Sequence, residues 1–427
     1  MGRILVWAGV GGSADGVRQG NGMSNKKVVA VFFGGRSPEH DVSVVTALQA
    51  MAALDTSLYD VVPVYLAVSG TWWTGEALRD RGFYLPSDTE LQKLTQVTLD
   101  MTASGRPRLL APSFGLLKRS LAIPFDVAMP AFHGLVGEDG QIQGAFEVAG
   151  VPYTGMRTMA SSVLMDKVAT KRMLAAAGIP LLPYREIARP GEGLLVTPDE
   201  LRAVVGDLPA PWCVKPSHLG SSIGVAKTAD LQELSDVLPE IFRYDNAAIL
   251  EPFVQNMVEY NVAVSRASGQ LVTSALERPK RTEDLLDFKE KYLSGGGKKS
   301  GEGKQGGKTS GQPSEGMLSL TRELNPTLPG NGESDIRRWG EEAFTIVAGS
   351  GAPRIDFIGN AETGEIWLNE VNPCPGSFGY FLWEAMRQPV LFSELLDQLI
   401  AEAIDLALRA KLPADPTPKD ARLFPRR

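Results

Sequence analysis

Near the C-terminal end of the sequence, Pro353-Arg354-Ile355-Asp356-Phe357 is followed by Glu365-Ile366-Trp367-Leu368-Asn369-Glu370-Val371-Asn372, a pair of runs that reads as a β-hairpin. Side chains alternate faces along a strand. Arg354 and Asp356 are therefore expected on one face, and Leu368, Glu370 and Asn372 on one face of the returning strand. Two acids and an amide oxygen can then converge. Like charges facing each other across strands are destabilising unless something neutralises them, and a hard cation with oxygen ligands would do so. Magnesium is the obvious candidate. Taken alone, the stretch equally fits a solvated hairpin whose acids never meet.

Two further stretches carry chemistry. In Trp212-Cys213-Val214-Lys215-Pro216-Ser217-His218-Leu219-Gly220-Ser221-Ser222-Ile223-Gly224-Val225, a lysine at a strand end precedes a turn rich in glycine and serine. Backbone amides and hydroxyls of such a turn can cradle phosphate oxygens while the lysine neutralises charge. The GxxxxGK[ST] pattern is missing, so this is no Walker A loop, and in isolation an ordinary hairpin with a surface lysine explains it equally. In Ala248-Ile249-Leu250-Glu251-Pro252-Phe253-Val254, followed by Glu259, a strand leaves backbone groups and two carboxylates at its end. These suit a purine edge and a ribose, or else solvent.

The elements that must position these residues can be read around them. Val28 to Phe33 is a continuous apolar, β-branched run ended by Gly34-Gly35, the pattern of a strand buried on both faces. Ser37 can cap the next helix, with Pro38 at its first position and Glu39 in its first turn, and that helix runs to about Leu54. Val61–Val68 and Phe125–Pro130 read as further strands, so residues 24–154 form an open α/β domain whose middle, 86–118, is poorly patterned. A helix is expected from Ser161 to Ala177, stopped by Gly178 and Pro180. Strands at Pro211–Val214 and Ile223–Ala226, a helix at Leu231–Leu238 and a strand at Ala247–Leu250 follow, making 155–250 a small α/β lid. Residues 251–410 hold the hairpin and a final helix, Leu391–Ala410, and 411–427 form a tail. Within that unit, residues 294–316 are dominated by Gly, Ser and Lys and build no core. A long loop embedded in a domain is more often functional than not, so a mobile lid is expected there.

Composition bounds the function. The 427 residues allow several domains, and 43% hydrophobic residues fit a soluble globular protein. A net charge of −7 argues against a general nucleic-acid binder while leaving room for a basic pocket. Cys213 and Cys374 are the only cysteines, too few for a disulfide framework and compatible with a reducing cytosol. The apolar run Ile4–Val10 is too short to span a membrane, so a cytoplasmic protein is expected, with residues 1–23 a disordered extension or upstream start. His40, His133 and His218 have no metal-ligand spacing, which argues against zinc as the cation.

Taken in order, VVAVFFGGRSPEHDVSVVTA, AFHGLVGEDGQIQGAFEVAGVPYTG, LMDKVATKRMLAAAGIP, CVKPSHLGSSIGV, LLDFKEKYLSGGG, PRIDF and LNEVNPCPG resemble the D-alanine–D-alanine ligases of the ATP-grasp superfamily over most of residues 26–400. The resemblance implies an α/β fold, α+β in its ATP-grasp part, of three domains with an N-terminal Rossmann-like open sheet. It implies ATP as co-substrate, D-alanine as substrate, two Mg2+ or Mn2+ ions, a homodimer, and formation of a peptidoglycan dipeptide through an acyl phosphate. Lys167 and Lys215 would hold phosphates, Glu251 the adenine and Glu259 the ribose, with Ser222 in the turn that closes over the phosphates and Lys291 reaching the γ-phosphate from a loop at 291–316. Asp356, Glu370 and Asn372 would hold the ions. Glu39 would bind the first D-alanine's ammonium and join Ser221 and Tyr292, while Arg354 and the Gly376 amide would stabilise the oxyanion. For Glu39 alone, a first-turn acid favoured by the helix dipole is the plainer reading.

One departure concerns the second substrate. Family members usually continue past the asparagine with a PGMT-like stretch and a Ser-Leu pair that meets its carboxylate, and here Phe381 falls where that serine would stand. Either Ser377 or a backbone amide replaces it, or the second substrate differs. Tyr292 favours D-alanine over D-lactate. Two rivals are a related ligase with another second amino acid or hydroxy acid, and a catalytically inactive nucleotide-binding module. An oxidoreductase on the N-terminal domain lacks its GxGxxG turn, since Gly34-Gly35-Arg36-Ser37 does not supply one.

Overall fold

The computed structural model describes residues 26–84, 86–102, 105–112, 121–220, 224–280, 322–412, 417–418 and 421–424. Lys27–Gly34 (β1) is apolar on both faces because it lies inside its sheet, flanked in parallel by Tyr59–Leu66 (β2) and Val127–Pro130 (β7). The poorly patterned middle of this domain extends the sheet on one side only. Trp72–Thr74 (β3), Thr95–Leu99 (β4), Arg108–Ala111 (β5) and Leu121–Pro124 (β6) add antiparallel strands, in the order β6-β5-β4-β3-β2-β1-β7. Only the β2-β1-β7 part is Rossmann-like. The carboxyl ends of β1 and β7 open toward helix His40–Ala53 and the 131–140 loop, the side on which ligands bind in open α/β sheets.

A second sheet of Arg185–Ala188 (β8), Trp212–Pro216 (β9), Ala226–Thr228 (β10) and Ala247–Pro252 (β11) is antiparallel throughout, ordered β10-β9-β11-β8. Its apolar face is covered by helices Pro198–Val205 and Leu231–Ile241. The third sheet holds Met257–Ser265 (β12), Val272–Thr273 (β13), Glu277–Pro279 (β14), Arg322–Leu324 (β15), Arg354–Asn360 (β16) and Ile366–Asn372 (β17), in the order β15-β14-β12-β16-β17 with β13 against β12.

Three expectations shift. The helix expected from Ser161 to Ala177 is two helices, Thr158–Met165 and Lys167–Ala175, broken at Asp166, whose backbone is extended and whose carboxylate accepts from the amides of Val168 and Ala169. Both pack in one core with β12, β16, β17 and helix Gly332–Ile346, so this part of the expected lid (155–250) belongs to the base, and the lid sheet starts at β8. The strand expected at Ile223–Ala226 lies later, at β10. The final helix, Phe392–Arg409, returns to the N-terminal unit. Leu395, Leu396 and Leu399 share a core with Val29, Val31 and Met129.

Candidate active site

The hairpin forms, with a difference that matters for chemistry. Asp356 pairs with Glu370 across β16 and β17 and Arg354 with Asn372, but Phe357 pairs with Leu368, so the register slips by one residue there. Asn369 is the extra residue of a β-bulge. The slip corrects the expected face of Leu368: it sits in the core with Phe357, while Glu370 and Asn372 keep the face of Asp356. Bulges commonly re-aim side chains beside active sites. Here the bulge sends Asn369 toward the lid, where its Oδ1 accepts from Lys215 Nζ at 2.8 Å.

On that face Arg354 donates to both oxygens of Asp356, at 2.6 and 2.7 Å, and Asn372 Nδ2 donates to Asp356 Oδ2 at 2.8 Å. Burial pushes the Asp356 carboxyl up to about 6, with Arg354 opposing and Glu370 adding to the rise. Burial also works against ionisation of Glu370. Lys167, Lys215 and Arg354 outweigh it and hold that carboxyl below the usual range. Two half-buried carboxylates on adjacent strands fit a divalent cation, which would relieve their repulsion. Among the described residues no cluster of three or more His, Cys, Asp or Glu side chains could hold a metal by itself. Two carboxylates and one amide leave positions for phosphate oxygens and water, the usual environment of protein-bound Mg2+.

Facing the hairpin is a cleft of about 390 Å3 lined by Lys167, Lys215, Glu251, Glu259, Asn369 and Glu370, among others. The helix break at Asp166 explains Lys167: standing first in its helix, it donates its backbone amide to Ser217 O at 3.0 Å and its Nζ to Leu219 O at 2.5 Å. Its Nζ also lies 3.6 Å from Glu370 Oε2. The turn after Lys215 is pinned from the other side by Asp245, which accepts from the His218 amide at 2.7 Å and contacts His218 Nδ1 at 2.8 Å.

At Glu251, the residue expected at the adenine, the side chain is engaged by two lysines. Its carboxylate is clamped between Lys171 Nζ at 2.6 Å and Lys215 Nζ at 2.8 Å, all three side chains being almost wholly buried. Although burial opposes ionisation, the two lysines hold Glu251 down to about 2. Burial would lower Lys215 too, but Glu251, Cys213 and Glu370 together outweigh it and raise that ammonium; at Lys171 burial prevails and lowers it. With both lysines charged the cluster carries one net positive charge, suited to phosphate. Lys171 escaped sequence reasoning because a lysine in the middle of a helix looks like any solvated one.

Glu39 is the N-cap of helix His40–Ala53, where the helix dipole favours an acid, and its side chain makes no cap bond. It is buried against two glycines. A Cβ on Gly134 would lie 2.4 Å from Glu39 Oε2, and one on Gly220 would lie 3.1 Å from Oε1. Glu39 thus joins the N-terminal domain to the turn after Lys215, and with Lys167, Glu370 and Asn372 it lines a second, smaller cavity of about 30 Å3. Glu138, also missed by sequence reasoning, lines it too. It accepts from the amides of Gly134 at 2.7 Å and Cys374 at 2.8 Å, and burial pushes its carboxyl up to about 8.

Gly376 opens a short 3₁₀ turn, Gly376–Gly379, fastened to the first helix: the Ser377 amide donates to Thr46 Oγ1 at 3.0 Å, and Thr46 Oγ1 meets His133 Nε2 at 2.8 Å. Ser377 Oγ donates to Gln49 Oε1, so its hydroxyl is committed to the helix. Ser221, Ser222, Lys291, Tyr292 and the loop 291–316 lie outside the described residues.

Family models described as the N-terminus and C-terminus of D-ala D-ala ligase match residues 28–156 and residues 173–302 with 319–401. The D-alanine–D-alanine ligase of Thermosipho melanesiensis is 30% identical over 373 residues, spanning 87% of this chain and 92% of that protein. The chain belongs to the D-alanine–D-alanine ligase family. Among solved structures of this family, the VanG D-Ala:D-Ser ligase from Enterococcus faecalis is 26% identical, with a TM-score of 0.69 over 88% of this chain and 99% of that one. A D-alanine–D-alanine ligase from Bacillus anthracis complexed with ATP shares the fold, at 20% identity and a TM-score of 0.57 over 90% of this chain and 100% of that one. The fold is thus the mixed α/β architecture of this ligase family. No described helix is long and apolar enough to cross a membrane.

Proposed function

We propose that this chain joins two D-alanine molecules at the expense of ATP, giving D-alanyl-D-alanine, ADP and phosphate. The observation that carries the reading is the convergence of a lysine-lined cleft, the Asp356–Glu370 pair and Glu39 from three different sheets and helices. ATP lies in the cleft with its phosphates toward Lys167 and Lys215 and its ribose toward Glu259. Glu251 acts by fixing Lys215. Two Mg2+ or Mn2+ ions held by Asp356, Glu370 and Asn372 would neutralise the outer phosphates. Phosphoryl transfer needs chiefly positioning and charge neutralisation, which these groups supply.

Glu39 receives the ammonium of the first D-alanine and aims its carboxylate at the γ-phosphate. The carboxylate oxygen takes the phosphoryl group and ADP leaves. The amine of the second D-alanine then attacks the acyl carbon, Arg354 and the Gly376 amide stabilise the oxyanion, and phosphate departs. Ser221, Ser222, Lys291 and Tyr292 are assigned on the family's sequence pattern: the serines close the phosphate turn, Lys291 meets the γ-phosphate, and Tyr292 ties its loop to Glu39 and Ser221. On the same reading the protein is a cytoplasmic homodimer that supplies the peptidoglycan dipeptide. A ligase with a different acceptor is the second reading, favoured by Phe381 and by the likeness to a D-Ala:D-Ser ligase.

The test is ADP formation with Mg2+ and ATP, with and without D-alanine, the product identified by mass spectrometry and the assay repeated over a panel of D-amino and D-hydroxy acids. D-Alanine should stimulate ADP release many-fold and yield the dipeptide. Rapid ADP release indifferent to every acceptor would refute ligation, and a mixed product with no D-alanyl-D-alanine would select the second reading.

A further inference from the structure

A phenyl ring at position 381 offers no hydrogen-bond donor to a carboxylate. The ring instead carries a cation. Arg322 Cζ lies 3.8 Å from the Phe381 ring centroid. Its Nη1 is 3.2 Å from Glu277 Oε1, and Glu277 Oε2 accepts from Asn261 Nδ2 at 2.9 Å. Asn261 is the cross-strand partner of Asp356, and Asp356 that of Glu370. Glu277, Asn261, Asp356 and Glu370 therefore form one row across four adjacent strands, since directly paired residues share a face. At a strand spacing of about 4.8 Å the row runs roughly 14 Å, from the phosphate end at Glu370 to the end where Arg322 stands.

Helix Tyr380–Glu384 is held on this end of the sheet by the Ala275 amide, which donates to Leu382 O at 3.1 Å. Phe381 is thereby fixed as a platform. Besides the ion pair of Nη1 with Glu277, Arg322 Nε is buried and makes no hydrogen bond among the described residues, so the guanidinium is not saturated by its neighbours. Ser377, the other candidate for the missing hydroxyl, is committed to Gln49.

Building on the proposed ligation, we infer that Arg322, mounted on Phe381, binds the carboxylate of the second amino acid. Phosphate and the acyl carbon sit toward Glu370 and Arg354, and the acceptor's amine must face them. Its carboxylate then points along the row to Arg322, whose planar fork matches a carboxylate bidentately. The exchange of a serine for phenylalanine is thus a change of recognition group from hydroxyl to guanidinium. It makes the site selective for acceptors with a free carboxylate.

The experiment compares the full-length chain with Arg322→Ala and Arg322→Lys, using ATP, Mg2+ and D-alanine, with D-alaninamide as a competing acceptor that lacks the carboxylate. In Arg322→Ala the KM for the second D-alanine should rise about 10-fold to 100-fold, the range for loss of a charged hydrogen bond. The KM for ATP and for the first D-alanine should stay within about 3-fold. The preference for D-alanine over D-alaninamide should collapse, and Arg322→Lys should fall between. An unchanged second KM, a common rise in all three KM values, or an undiminished preference would overturn the inference. Should Arg322→Ala not fold, Arg322→Lys and Arg322→Gln carry the same comparison. If the unaltered chain makes no dipeptide from D-alanine, the proposed function fails separately. The comparison is then run on whichever acceptor the panel accepts, as its carboxylate and as its amide, and a chain that accepts none overturns both.

Discussion

Arg354 meets Asp356 through both carboxylate oxygens, and on the proposed mechanism this one side chain would orient a cation ligand and offer an oxyanion donor. Arg354→Ala should lower kcat by about 100-fold to 1000-fold with a much smaller change in the KM for ATP, since an oxyanion donor acts on the transition state. Steady-state kinetics checks this, and normal turnover would remove Arg354 from the chemistry. His133 poses a different test. Burial lowers its imidazole to about 4, against an opposing bond to Cys374, and Arg354 contributes in the same direction as burial. A histidine depressed when folded keeps its full contribution above its unfolded value near 6.5 and loses it as pH falls toward about 4. At pH 5 the loss is of order 2 kcal/mol. Urea unfolding at pH 7 and pH 5 should show the native chain losing that much more than His133→Gln, and parallel losses would contradict it.

At the scale of elements, the one-residue slip of the hairpin does what no alternation pattern encodes. It buries Leu368 and still presents both Asn369 and Glu370 to the cleft. Deleting Asn369 restores strict alternation and forces either Glu370 into the core or Leu368 out of it. Such a deletion should abolish ADP formation and lower the melting temperature, whereas Asn369→Ala, which removes only one of the bonds to Lys215, should keep the fold and cost on the order of 10-fold in rate, as for one lost hydrogen bond. Calorimetry with the ADP assay separates the two, and a deletion as active as the substitution would refute the role of the bulge. What the sequence made legible follows the same line. β1 and the Lys215 strand were readable because full burial and strand-to-turn chemistry leave strong local signals. The helix break at Asp166, the bulge and the Lys171–Glu251–Lys215 cluster were not, because each answers to partners far along the chain. The three short strands between residues 72 and 111 escaped for another reason: they widen a sheet from its edge and carry little apolar pattern.

Across the whole molecule, the three sheets meet where the chemistry is. The second sheet reaches the third through Lys215 and Asn369, helix His40–Ala53 brings Glu39 to both, and helix Phe392–Arg409 ties the C-terminal unit to the N-terminal core. An assembly of this kind makes sense for a reaction whose intermediate must wait, shielded from water, for a second molecule. Its central claim is that a D-alanine carboxylate oxygen accepts the γ-phosphoryl group before peptide bond formation. The direct measurement is turnover with D-alanine labelled with oxygen-18 in its carboxylate, reading the isotope in the phosphate released. One labelled oxygen should appear in each phosphate formed with dipeptide, and unlabelled phosphate released alongside dipeptide would contradict the acyl-phosphate route.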